Sequence, residues 1–446
     1  MAEELNPGTS LPFDVALRRR SMSLPPLTLS RWVKPFRALL YAGLALYTAA
    51  FAVRAYARSY QVFLPDYLLR WSTFGTRALF TSRPTHIFLL MVDHFEPNTM
   101  DEAREFLRRY AELAARHRDS AGRPPQHTWA YPGEQISNRV LQLLTEVTAA
   151  GLGEVELHHH HAFHTEEQLR AALSIAIRRF QEYGFLRTSD GRTQFAFVHG
   201  NSGLDNSNGD GECGVNTEIR LLRQLGAFAD FTFPSLYEIS QPKRVNSIYA
   251  TRDDDQPKSY DRQLPLATLR SGEADLMMFE GPLIFSPSLN PRHLFLDLDD
   301  GDIHAAEHAS PRRADRWIRA NVHVAERPDW IFVKLFSHGA STPGDVESVL
   351  GQDYSDMLSY LEREYNDGTK YVLHYVTARE AYNLARAAAD GATGDPGQYL
   401  NAYAPPYAAN VRDECGGLPP AMDGGSRRGR REPCNSAQRG KHISQP

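Results

Sequence analysis

Four apolar runs in this sequence end in side chains that carry protons or bind metals. The first, His86–Val92, runs into Asp93, His94, Phe95 and Glu96. A second, at Glu154–Leu157, runs into His158, His159, His160 and His161, with His164 just beyond. A third ends in His199-Gly-Asn201 and continues to Asp205, and a fourth, Trp330–Phe336, ends in Ser337-His338-Gly339. Imidazoles converging with a carboxylate make a site for zinc or a similar borderline divalent metal, with a position left for water. Alternation along an extended strand points His158 and His160 to one side, and His160 and His164 share a face where the chain coils early. A late histidine such as His338 has the chemistry of a general acid. The Gly- and amide-rich stretch carrying His199, Asn201 and Asp205 suits a polar ligand held by hydrogen bonds, as in sugar sites, and equally an ordinary turn.

The elements that must position these groups alternate. Strand patterns at 86–92, 127–131, 154–158, 194–199, 229–233, 276–284, 330–336 and 370–376 are separated by helical patterns. The helices fall at 100–118, 136–150, from Thr165, and at 216–225, 312–320, 345–364 and 377–389, and Thr165-x-x-Gln168 forms a capping box. Such alternation predicts an α/β domain over 84–390 with a mostly parallel sheet, open or closed into a barrel. Ligands collect beyond the carboxyl ends of parallel strands, where all four groups lie.

The chain is 446 residues long, 42% hydrophobic and 23% charged, with a formal net charge of −5. These numbers exclude wholesale disorder, collagen and a disulfide scaffold, and no basic field is present to recruit nucleic acid. Residues 1–35 read as a flexible arm. Ala38–Val53 is uncharged, bracketed by Arg37 and Arg54 with Trp32, Tyr56 and Tyr60 near its ends, so 36–56 reads as an uncleaved membrane anchor. The alternative is an apolar helix packed on the domain or lying in a membrane surface. From 391 to 446 the chain turns to Gly, Pro, Ala and Arg, which predicts a disordered tail.

The phrases MVDHFEP at 91–97, EVELHHHH at 154–161, HGNSGLDNS at 199–207, GVNTEIRLLRQLGAFADFTFPS at 214–235 and VKLFSHG at 333–339 stand in a particular order. In that order the chain resembles a divergent bacterial branch of the polysaccharide deacetylases of the NodB-homology class, also grouped as carbohydrate esterase family four. The resemblance covers about residues 84–390. It implies a distorted (β/α) barrel and a divalent metal, usually zinc, held by one acidic and two histidine side chains. The family's first motif has two adjacent acids, a base and a ligand, where this chain has Asp93-His94. Either Asp93 is the base and His94 replaces the acidic ligand, or Asp93 binds metal and Glu96 or Glu134 is the base. The family's second motif has histidines four apart, but Ala162 stands four after His158, so the second ligand falls to His160, His161 or His164. The family's Arg-Pro-Pro is absent, with His199 and Asn201 near its place, and His338 matches the late catalytic histidine.

The resulting expectation is metal-assisted removal of acetyl groups from a polysaccharide or lipid-linked sugar. Asp93 and His338 are the catalytic pair, Asp93, His94, His158, His160 and His164 the candidate ligands, and His199, Asn201 and Asp205 the sugar contacts. An inside amino terminus would place the domain in the periplasm or outside the cell, and without a span a cytoplasmic substrate is open. Two other readings stand beside it: a different metal-dependent hydrolase on the same barrel, and an inactive domain that only binds glycan.

Overall fold

The computed structural model describes residues 30–70 and 83–410. Two compact units divide at Val53. The first contains most of helix α1 (Ser30–Ala57), an unbroken apolar helix whose described residues expose Phe36, Leu39, Leu40 and Leu44. Over Pro35–Ala57 it is long and apolar enough to cross a membrane, the one such helix among the described residues.

The second unit, from Arg54 onward, is a mixed α/β domain. Its strands are β1 (Thr85–His94), β2 (His127–Pro132), β3 (Glu154–His159), β4 (Phe195–His199), β5 (Ala227–Asp230) and β6 (Ser247–Thr251). They continue as β7 (Gln263–Leu264), β8 (Leu276–Glu280), β9 (Ile284–Pro287), β10 (Leu296–Asp299), β11 (Trp330–Ser337) and β12 (Tyr371–Tyr375). Nine of them form a curled half-barrel in the order β11-β1-β2-β3-β4-β5-β8-β6-β7, and β12 pairs with the first half of β1. The run from β11 to β8 is parallel, whereas β6 and β7 pair antiparallel and β9–β10 is a separate hairpin.

The helices are α2 (Leu64–Arg70), α3 (Met100–Ala114), α4 (Asn138–Ala149), α5 (Glu166–Gln181) and α6 (Glu218–Leu225). After them come α7 (Thr268–Ser271), α8 (Pro311–Ala320), α9 (Pro343–Leu350), α10 (Gln352–Glu364) and α11 (Ala378–Ala389). Most connect consecutive parallel strands, as crossovers must. Ile87, Leu89 and Met91 of β1 face the core made with α3, α4, α5, α8 and α10. Phe88, Leu90 and Val92, on the other face of the same strand, pack with Phe332, Val198 and Met277 in the barrel interior, joined by α11 and by Leu269 of α7.

The expected helix at 345–364 is two helices that meet at Gly351, and the expected strand at 276–284 ends at Glu280 before β9 begins. A boundary at 391 is also too early. Tyr407 is fully buried and its hydroxyl lies 2.7 and 2.8 Å from the Glu156 carboxylate oxygens, while Arg379 grips both Glu154 and the Ala404 carbonyl. These buried polar bonds hold a segment of tail-like composition to Asn410, and 411–446 lies outside the described residues, as does most of the expected arm.

Candidate metal centre

Parity along β1 decides the first strand end. His94 continues the interior face of Val92, whereas Asp93 belongs to the face turned toward α3. Donor atoms of His94, Glu96 and His158 lie within 4.8 Å of one another. Glu96 Oε1 is 2.8 Å from His158 Nε2 and 3.3 Å from His160 Nε2. The His94 ring lies 4.4 Å, centre to centre, from both His158 and His338, and its Nδ1 is buried without a hydrogen-bond partner. His338 is exposed at the mouth. Gly200 leaves the space that His160 fills, since a Cβ there would overlap the imidazole.

Tautomers show what this cluster can bind. His158 Nδ1 donates to the Val198 carbonyl at 2.9 Å, so the neutral ring presents its Nε2 lone pair to the Glu96 carboxylate. Burial lowers the His158 pKa, and the opposing pull of Glu96 only partly offsets it. Burial followed by neighbouring imidazoles pushes His94 well down. For Glu96, burial acts upward but is outweighed by His158 and the other imidazoles, leaving the carboxyl below its ordinary value. Two electron-pair donors thus meet at 2.8 Å, an arrangement that a bound cation satisfies. A backbone carbonyl on the far nitrogen is also the usual way a ligating histidine is oriented.

His160 differs. Its Nδ1 lies 2.6 Å from Glu134 Oε1, and that hydrogen bond raises its pKa despite burial. Glu134 is in turn held well below the usual carboxylate range by His159 and His160, against the effect of burial. Below this site, Lys334 is fully buried and donates to the Phe231 and Phe233 carbonyls; burial brings its pKa down to about 8 against the pull of Glu280 and Asp230.

A second group, His161, His199 and Glu218, is wholly buried. Glu218 Oε1 is 2.9 Å from His161 Nε2 and 3.8 Å from His199 Nε2, and its Oε2 accepts the Asp205 N–H at 2.8 Å. Here the tautomer points the other way. His199 Nδ1 accepts the Asn201 N–H at 3.0 Å, so the neutral ring carries its proton on Nε2, the atom a metal would need. Burial keeps that ring neutral by pushing its pKa well down. The His161–Glu218 hydrogen bond therefore ties the turn after β3 to α6, and the His199 Nε2 proton lies beside them, buried without a hydrogen-bond partner.

Several expected site residues accordingly lie elsewhere. Asp93 is outside the cluster: its Oδ1 accepts the Gly339 N–H at 2.7 Å and its Oδ2 lies 3.2 Å from His127 Nε2, both side chains buried on the α3 side of β1. His164 stacks on His161 with ring centres 5.9 Å apart, beside the second group and not the first. His199 and Asp205 are fully buried, and the Asn201 amide donates to the His161 and Glu212 carbonyls, so this loop braces the fold and does not line the mouth. Asp205 accepts the Ser259 N–H, and burial, with Asp253 and Glu218 nearby, pushes its pKa up to about 9. His94, His158, His160 and His338 do come together.

Glu96 and Glu134, which entered only as alternative bases, are the carboxylates that face the imidazoles. Glu134 follows β2 directly, a strand-end signal of the same kind as the other four. Nothing local marks Glu218, in the first turn of α6. No protein-family model matches this chain, and no curated protein matches it either.

Proposed function

We propose that this protein is a metal-dependent hydrolase that removes acetyl groups from a polysaccharide or a lipid-linked sugar, on a half-barrel of the NodB deacetylase type. The observation that carries the reading is the confrontation of His158 Nε2 with Glu96, with the His158 proton committed to Val198. His94, Glu96 and His158 would hold the ion, and zinc suits two imidazoles and one carboxylate with a position left open. Bound there, a divalent metal supplies an acidified water and a Lewis acid for the acyl carbonyl.

The chain's own groups supply the rest. The His160–Glu134 pair sits beside Glu96, half-buried, and takes the place of Asp93 as the proton acceptor. His338, exposed above His94, is placed to protonate the leaving amine or alcohol. Asp93 acts at a distance, fixing the turn after His338 through the Gly339 N–H. The apolar helix α1 serves as the membrane anchor, with the domain on the periplasmic or outer side, where such glycans are assembled.

Elemental analysis of the full-length protein, beside Glu96→Gln and His158→Ala, tests the reading. About one equivalent of divalent metal in the parent, lost in both variants while the fold persists, supports it. A parent that takes up no metal on reconstitution refutes it and favours the inactive glycan-binding reading.

A further inference from the structure

Beyond α1, three aromatic side chains stand exposed among the described residues: Phe163, Tyr237 and Phe295. Tyr237 is engaged, with the Arg58 guanidinium 4.4 Å over its ring and the Tyr60 ring 6.2 Å away. Phe295 belongs to the separate β9–β10 hairpin. Phe163 differs from both. It is 69% exposed, no described aromatic or cation stacks on it, and it stands beside the candidate metal centre in the chain.

Phe163 follows the four-histidine run, between the end of β3 at His159 and the start of α5 at Glu166, at the carboxyl end of the sheet. Its backbone is left-handed, with φ 56°, a conformation that costs free energy for any residue with a Cβ and that glycine adopts without strain. The conformation is held from outside. The Phe163 N–H donates to the Gly211 carbonyl at 2.7 Å, and a Cβ on Gly211 would lie 3.4 Å from Cδ1 of the phenyl ring, so the two loops are in contact. An apolar ring that is neither buried nor paired, on strained backbone, adds little to the fold, and such strain gathers at functional positions.

Phe163 is three residues beyond His160, whose Nε2 is 3.3 Å from Glu96 Oε1. The chain therefore limits the separation of the His160 and Phe163 Cα atoms to about 11 Å, the length of about two sugar units. On the facing loop Gly211 is flanked by Asp210 and Glu212, both exposed and neither in an ion pair with a described residue. A pyranose is apolar on its C–H faces and polar around its rim, and a bare phenyl ring bordered by hydrogen-bonding groups matches both. The two carboxylates repel an acidic sugar and favour a neutral or cationic one.

We propose that Phe163 is a stacking platform for a sugar neighbouring the one whose acetyl group lies at the metal, and that Asp210 and Glu212 select an amino sugar there, N-acetylated or free, over a uronic acid. The place next to a reacting sugar rests on the hydrolase reading above; stacking on Phe163 does not.

Calorimetric titration of the full-length protein in detergent, treated with chelator so that binding is read without turnover, tests this with three pentasaccharides: N-acetylglucosamine, glucosamine and galacturonic acid. At low ionic strength the first two are expected to bind, and the third about tenfold more weakly. A parent that binds none of them, or binds the galacturonate as well as the others, overturns the proposal. Phe163→Ala is expected to lose about tenfold in affinity and Phe163→Leu nearly as much, while Phe163→Trp retains it, all with the parent's circular dichroism. Leu binding as tightly as Phe overturns stacking. Glu212→Gln is expected to weaken the glucosamine pentamer more than the N-acetylated one, by up to about fivefold, and equal effects overturn the charge selection. Ring-dependent binding by a protein that takes up no metal upholds the platform and refutes the hydrolase reading alone. Metal-dependent deacetylation with Phe163→Ala at the parent's kcat/KM on the pentamer overturns the platform alone.

Discussion

Replacing Asp93 separates the role its motif suggests from the role its surroundings assign. In Asp93→Asn the remaining oxygen still accepts the Gly339 N–H, now without charge assistance. A hydrogen bond to a charged group contributes about 1.5–3 kcal/mol and a neutral one about 0.5–1.5, so this change costs about 1 kcal/mol. The new amide N–H meets His127 Nε2, which accepts it if the ring carries its proton on Nδ1. The total is about 1–2 kcal/mol for Asn, and about 3–5 for Asp93→Ala, which leaves the Gly339 N–H unpaired beside a cavity. At roughly 2–4 °C per kcal/mol for a domain of 150–250 residues, and less for this larger one, Asn lowers Tm by a few degrees. Metal content is expected to match the parent in both variants, because Asp93 lies on the face of β1 opposite His94. Turnover should fall by less than the roughly 10²–10⁴ expected for loss of a general base, since the effect reaches His338 only through its turn. The assays are thermal unfolding, elemental analysis and kcat on one acetylated glycan. Loss of metal from Asp93→Asn with Tm unchanged would refute the assignment by strand face.

Stability is expected to fall as the pH drops below about 6.5, because His94, His158 and His199 are held neutral by burial while the unfolded chain takes up their protons. Each contributes up to about 1.4 kcal/mol per pH unit in that window. His160, raised by Glu134, acts with the opposite sign above 6.5, so urea midpoints across pH 5–8 should rise steeply and then flatten or turn over, and a midpoint flat from 5 to 6.5 contradicts the burial argument. His161→Ala strips the wholly buried Glu218 of the imidazole nearest it and should cost about 3–5 kcal/mol, yet leave the metal equivalent of the folded fraction unchanged. Metal lost from this variant but retained by His158→Ala would transfer the site to the second group. Tyr407→Phe removes the hydroxyl paired with Glu156, costs about 1–3 kcal/mol and should speed proteolysis within 396–410, and a cleavage pattern identical to the parent's would show that the bond does not secure the segment.

Patterns of period two and period three to four were enough to locate most parallel strands and their helices, because each apolar run is buried on at least one face whatever its neighbours are. They also put the reactive residues at strand ends, since a polar group following an apolar run has few other places to go. The antiparallel strands β6 and β7 and the β9–β10 hairpin left no such trace, being short and stabilised by partners distant in the chain. Composition also misjudged 391–410, whose order rests on Tyr407 and Arg379 reaching buried glutamates more than 200 residues away.

Within the site, the sequence by itself determined that imidazoles gather where β1, β3 and β11 end, and that a carboxylate is within reach of them. Which carboxylate, and which imidazoles can accept a cation, was decided only by the tertiary structure. One residue of offset on a strand reverses the face, which separates His94 from Asp93. A ring nitrogen's partner fixes its tautomer, and the partners of His158 and His199 are backbone groups of β4 and the loop after it, which folding alone brings into place.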